Sequence, residues 1–148
     1  MKKYYKFFIL PAIIIIIAGF FSGFSEQSCE RIAENLLEER TSILQKTYFG
    51  KLDIDQAEEY LGQIETYPLL SEDIGNLRAL DDTDVDMVKS MEFIEINQDS
   101  KLLNYVSLSM KIRWHMSGAG SDYVSSNEYS VILKSYKNGY KLSEFNPK

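Results

Sequence analysis

The sequence predicts an α+β domain carried behind an N-terminal apolar segment, with two or three helices packed on a curved four-stranded antiparallel sheet. Three observations predict it. Apolar residues recur at spacings of three and four from Cys29 to about Leu77. They then switch to every second position, most clearly over Val106–Met116. Asn138-Gly139 stands between two such alternating runs, the strongest short hairpin signal in a sequence.

The chain opens with Lys2, Lys3 and Lys6 and then runs from Phe7 to Phe24 without a charge. At about 1.5 Å per residue this is roughly 27 Å of helix, close to a bilayer core of about 30 Å. Ile13 to Ile17 are mediocre helix formers in water, but in lipid the backbone can satisfy its hydrogen bonds only internally. Lysines before the run, with Glu26 and Glu30 after it, place the N-terminus in the cytoplasm and the rest across the plasma membrane. The expected division is 1–25 as signal or transmembrane segment and 26–148 as extracytoplasmic domain. Cleavage after Ser25, which would release the domain, is the alternative. Lipidation of Cys29 is disfavoured by Glu26, which stands where such signals carry an apolar residue.

All 22 acidic residues and 13 of the 16 basic ones lie at Glu26 or beyond, a formal charge of −9 for that segment. Such a domain is poorly suited to gripping phosphate backbones, so no nucleic-acid partner is expected. It should also be repelled from anionic headgroups. The lone Cys29 excludes an intrachain disulfide and leaves pairing between chains open.

The first soluble helix is expected over Cys29 to about Tyr48, its apolar stripe interrupted by Arg40 and Thr47 and ended by Gly50. It is expected to continue the membrane span as one helix. Glu26, Glu30, Glu34 and Glu38 fall four apart along it. They form a solvated row or, alternatively, a docking ridge for a basic partner. A second helix follows Asp53, with Gln56 in the reciprocal capping position and Ile54, Ala57, Tyr60 or Leu61, and Ile64 inward. Pro68 suits the first turn of a third, with Leu70, Ile74 and Leu77 inward.

Asp82, Asp84 and Asp86 alternate as calcium-loop ligands do, but Met87 and Phe93 stand where that loop needs glycine and glutamate. The run is therefore read as a helix-to-strand turn. Val85–Ile96 is the first strand, its phase changing near Phe93 and Ile94 as at a bulge. Asn97–Lys101 is the expected turn, Val106–Met116 the second strand and Ser117–Asp122 a loop. Tyr129, Val131 and Leu133 mark the third strand. A two-residue Asn138-Gly139 loop would pair Lys137 with Tyr140, Ser135 with Leu142 and Leu133 with Glu144.

The element order, the stretch KLDIDQAEEYL and the closing YSVILKSYKNGYKLSEF resemble the NTF2-like (cystatin-like α+β) superfamily over about Cys29–Phe145. The resemblance implies helices packed into a curved sheet. It extends to membrane-anchored components of bacterial secretion and conjugation machines, and implies a role within such an assembly.

One His and one Cys do not supply an ordinary metal site, and no GxSxG, HExxH or phosphate-loop pattern occurs. No cofactor and no enzymatic activity are expected. His115 is read as a surface histidine, the alternative being a general base facing Tyr105 or Glu128. Met87, Met91, Met110 and Met116 are read as core filling. Tyr105, Tyr123 and Tyr136 are expected on the wetter sheet face, where tyrosines favour protein contacts. The expected function is thus a non-enzymatic, membrane-anchored, extracytoplasmic protein-binding module. Its candidate partner-binding residues are Glu26, Glu30, Glu34, Glu38, Tyr105, Tyr123 and Tyr136. The alternative is an exported domain holding a small ligand in its sheet.

Overall fold

The computed structural model describes residues 27–79 and 85–148. The apolar run, Glu26 and Asp81–Asp84 lie outside the described residues. Among those described, no helix is long and apolar enough to cross a membrane.

Helix α1 spans Cys29–Tyr48. Ser28 has an extended backbone (φ −60°, ψ 151°), and its hydroxyl accepts from Arg31 N at 3.3 Å. That cap makes Ser28 a helix start, so α1 does not run unbroken out of the preceding segment as the stripe alone suggested. Gly50, at φ 66°, closes the far end with its N–H on Thr47 O at 3.1 Å. Helix α2, Ile54–Ile64, is capped by Asp53, whose carboxylate accepts from Asp55 N at 3.1 Å. Ala57, Leu61 and Ile64 point inward. Tyr60 stays exposed, which resolves the Tyr60-or-Leu61 alternative. Helix α3 spans Leu69–Arg78 and buries Leu69, Asp73 and Leu77, four apart. The predicted inward Leu70 and Ile74 are only half-buried, because an aspartate takes the inward position between the two leucines.

Four strands follow in meander order: β1 Met87–Leu102, β2 Tyr105–Ser117, β3 Asp122–Tyr136 and β4 Gly139–Pro147. The alternation of β2 is as predicted. Val106, Leu108, Met110 and Ile112 are each at most 2% exposed and oppose Leu133, Val131, Tyr129 and Asn127 of β3. The phase change in β1 is a bulge: pairing skips Ile94 between Phe93 and Glu95. Two further skips, at Lys89 and Asp99, interrupt the same strand.

Two turns differ from expectation. Asn97–Lys101 continues β1, paired with Ser109–Val106, and the turn is Leu103-Asn104. The polarity of that stretch marks an exposed edge strand, not a turn. In the last hairpin Tyr136 pairs with Gly139, so the loop is Lys137-Asn138. Leu133 then opposes Leu142, and Val131 opposes Phe145, with a skip at Ser143. The predicted pairing of Leu133 with Glu144 would have set an acid against a fully buried leucine. Core burial chose the register.

Two apolar clusters hold the layers together. Cys29, Ala33 and Leu37 of α1, with Leu69 of α3, cover the inner sheet face. Ile43 and Leu44 of α1 pack with Ala57, Leu61, Ile64 and Leu77 of the other two helices. Beyond β4, Thr66 N donates to Leu142 O at 2.8 Å, and Ser143 Oγ to Tyr67 O at 3.0 Å. These bonds cap part of that edge. Gln45 Oε1 accepts from Val88 N at 3.0 Å, at the start of β1. Arg40, five residues earlier, lies over the Phe145 ring at 5.2 Å. Phe145 sits across β3 from Leu108, much nearer the hairpin tips. Helix α1 therefore runs from the end of the sheet that carries both tips toward the start of β1.

Candidate functional site

The predicted acidic row follows α1. Glu30 and Glu34 are half-buried and Glu38 is exposed; Glu34 pairs with Arg31 at 2.8 Å. Glu38 stands on the rim of a groove between α1 and β1. The groove has a volume of about 440 Å³, and Thr41, Gln45, Lys46, Val88 and Met91 also line it. Among the described residues β1 is an edge strand, and apart from the Val88 N–H held by Gln45 its outer side faces this groove without a partner strand. Its three bulges are the devices by which exposed edges are kept from uncontrolled pairing.

The three predicted tyrosines do not share one surface. Tyr105 and Tyr136 lie together on the outer face near the hairpin tips. Lys134 Nζ stands 5.6 Å from one ring centroid and 5.8 Å from the other, and Lys141 Nζ stands 5.6 Å from Tyr136. Tyr136 OH also shares a hydrogen bond with Thr66 Oγ1 at 2.8 Å. Tyr123 is elsewhere. It opposes Met116, in phase with the core-facing residues, at the other end of the sheet. Its hydroxyl donates to Asp86 Oδ2 at 2.6 Å, which raises its pKa. The strand is too long for one face to have one environment: beyond the reach of the helices the inner face is also wet.

His115 faces neither Tyr105 nor Glu128. It opposes Ser90 and Val124, while Glu128 opposes Lys111. Its Nε2 is 3.9 Å from Glu92 Oε2, which already accepts from Arg113 Nη1 at 2.9 Å. The arrangement is a surface charge ladder. Of the methionines, Met110 is buried and Met91 packs against the core, but Met87 is 45% exposed. Among the described residues, no group of three His, Cys, Asp or Glu could hold a metal ion.

Sequence reasoning passed over a buried charge cluster. Arg40 donates from Nε to Asp73 Oδ2 at 2.7 Å and from Nη2 to Asp73 Oδ1 at 2.8 Å. Glu65, 1% exposed, brings Oε1 to 3.1 Å from the same Nε, yet among the described residues neither of its carboxyl oxygens has a hydrogen-bond partner. Burial, and then the Asp73 charge, push Glu65 up to about 8 against the pull of Arg40. Burial also raises the Tyr48 hydroxyl, with Asp73 adding to the effect. The available signal was Arg40 itself, a charge in the apolar stripe of α1.

No protein-family model matches the chain, and no curated protein matches it either. Among solved structures it is similar to the intermembrane space region of the chloroplast protein ARC6. The TM-score is 0.55 at 12% identity, over 82% of this chain and 97% of that one. At that identity the likeness is one of fold: three helices on a four-stranded antiparallel sheet.

Proposed function

We propose that this chain is a non-enzymatic protein-binding module of NTF2-like type, held by its N-terminal segment on the outer side of the plasma membrane. There it would act within a secretion- or conjugation-like assembly. The observation that carries the binding reading is the open β1 edge above the groove rimmed by Glu38. An extended segment of a partner can add to such an edge through main-chain hydrogen bonds, while the groove accepts its side chains. Cys29, Ala33 and Leu37 of α1 already cover the inner face over Val106–Ile112, which favours a surface contact over a small ligand held there. The lysines ahead of Phe7 and the acids behind Phe24 support the outward orientation. The structural neighbour is itself a region named for a space between membranes.

A photo-crosslinking residue at Ser90, on the groove, tests the binding reading in intact cells, with Ser126 on the outer face as control. A discrete protein adduct from Ser90 alone, lost on Glu38→Lys, is expected. Adducts from neither position would overturn the edge reading. A reporter fused after Lys148 that reads cytosolic would overturn the location.

A further inference from the structure

We propose that the two hairpin tips at one end of the sheet form a lipid-docking surface for anionic membranes. The segments Ser100–Ser107 and Leu133–Ser143 meet there. In a chain of net charge −6 they contain no acidic residue and four lysines, Lys101, Lys134, Lys137 and Lys141. Asp99 and Glu144 stand just outside, accepting from Ser109 Oγ at 2.5 Å and Asn146 Nδ2 at 3.2 Å, and Lys141 Nζ at the margin donates to Gly62 O at 2.5 Å.

The apex is apolar. Leu102 is 71% exposed and Leu103 92%. Leu103 also holds φ 51°, a conformation that favours glycine in a two-residue turn, and here it carries a leucine into solvent. Behind the apex come Tyr105 and Tyr136, with Lys134 between their rings. Leucines at the apex, tyrosines behind them and lysines around them follow the order of a lipid interface: hydrocarbon, headgroup boundary and anionic surface. A protein hot spot prefers a pocket, whereas Leu102 and Leu103 stand out into solvent. The direction of α1 agrees, because Ser28 caps it toward this same end. On the anchored reading above, the tips would face the bilayer; the chemistry of the tip does not depend on that reading.

The full chain is reconstituted with a polarity-sensitive dye at Leu103→Cys in a Cys29→Ala background, and a second preparation carries the dye at Tyr123→Cys. In vesicles with about 30 mol% phosphatidylglycerol, the dye at position 103 should shift to the blue and be quenched by lipid-phase quenchers. Raising salt to about 0.5 M should reverse most of the shift. Lys101→Gln with Lys137→Gln, both on the exposed tips, should reduce it several-fold. The dye at position 123 should not respond. An unchanged spectrum at 103, or an equal shift in purely zwitterionic vesicles, would overturn the proposal. So would a shift in detergent alone that grows with protein concentration, which would assign the tip to a second copy of the chain. A shift that appears only when an acidic protein is added would do the same. Loss of the chain on carbonate washing would speak against the anchor and leave the tip result standing.

Discussion

Arg40 and Asp73 form a two-pronged ion pair, at 2.7 and 2.8 Å, inside the helical layer, and in doing so they strand Glu65. Two of the guanidinium N–H groups go to the Asp73 carboxylate, Nε among them, and the second carboxyl is left buried beside a negative neighbour. A carboxyl in that position is held better as the neutral acid.

The first prediction is a pH dependence. The folded value of Glu65, about 8, lies above the ordinary 4.5. Between them the folded state keeps a proton that the unfolded state releases, so stability falls as pH rises. This contribution is complete below about 4.5 and gone above about 8, at a rate approaching 1.4 kcal/mol per unit. Glu65→Gln, which mimics the neutral acid, should flatten that slope and gain most over wild type at alkaline pH. Urea melts at about pH 6 and 9 measure it. A wild-type stability that is level across this window would contradict the account.

The second concerns the cation. Arg40→Met leaves two buried carboxyls facing each other and should cost about 3–5 kcal/mol. Adding Glu65→Gln and Asp73→Asn should restore much of that loss. Additive losses through the series would mean that the three groups act independently.

At Leu103 the backbone takes a conformation that costs a leucine roughly 1 kcal/mol. Leu103→Gly should therefore raise thermal stability by about that amount while removing the apolar apex. A lower melting temperature would show that the leucine is held by contacts within the domain.

Trp114 Nε1 donates to Tyr129 OH at 2.9 Å, edge-on to a ring that stacks on Phe145 at 4.5 Å. Tyr129→Phe should cost about 1 kcal/mol by leaving a half-buried donor without its acceptor. Trp114 is the only tryptophan, so its emission should change in the folded state. An unaltered spectrum and melt would show that the hydrogen bond contributes nothing.

Local pattern carried much of the architecture. The end of α1, the Asp53 cap, the phase of β2 and the bulge at Ile94 follow from spacing and from single residues with strong backbone preferences, such as Gly50. Where prediction missed, two local signals competed. Asn138-Gly139 suggested one loop, but burying Leu142 and Phe145 required another. Polar residues at Asn97–Lys101 read equally well as a turn or as an edge strand, and only pairing with β2 distinguishes these. The candidate site was less legible. The acidic row was visible, but its place beside a groove depends on β1 lying under α1.

By itself the sequence determined the order of helices and strands, the net acidity and the inward residues of α1, α2 and β2, because these depend on neighbours three or four residues away at most. Only the tertiary structure decided that Arg40, Glu65 and Asp73 meet, that Tyr123 parts from Tyr105 and Tyr136, and that four lysines gather where no acid follows. Such groupings bring together residues up to 40 positions apart, and no local preference encodes them. They arise when burial of apolar area fixes how the layers stack, and the charges must accept the places that packing leaves.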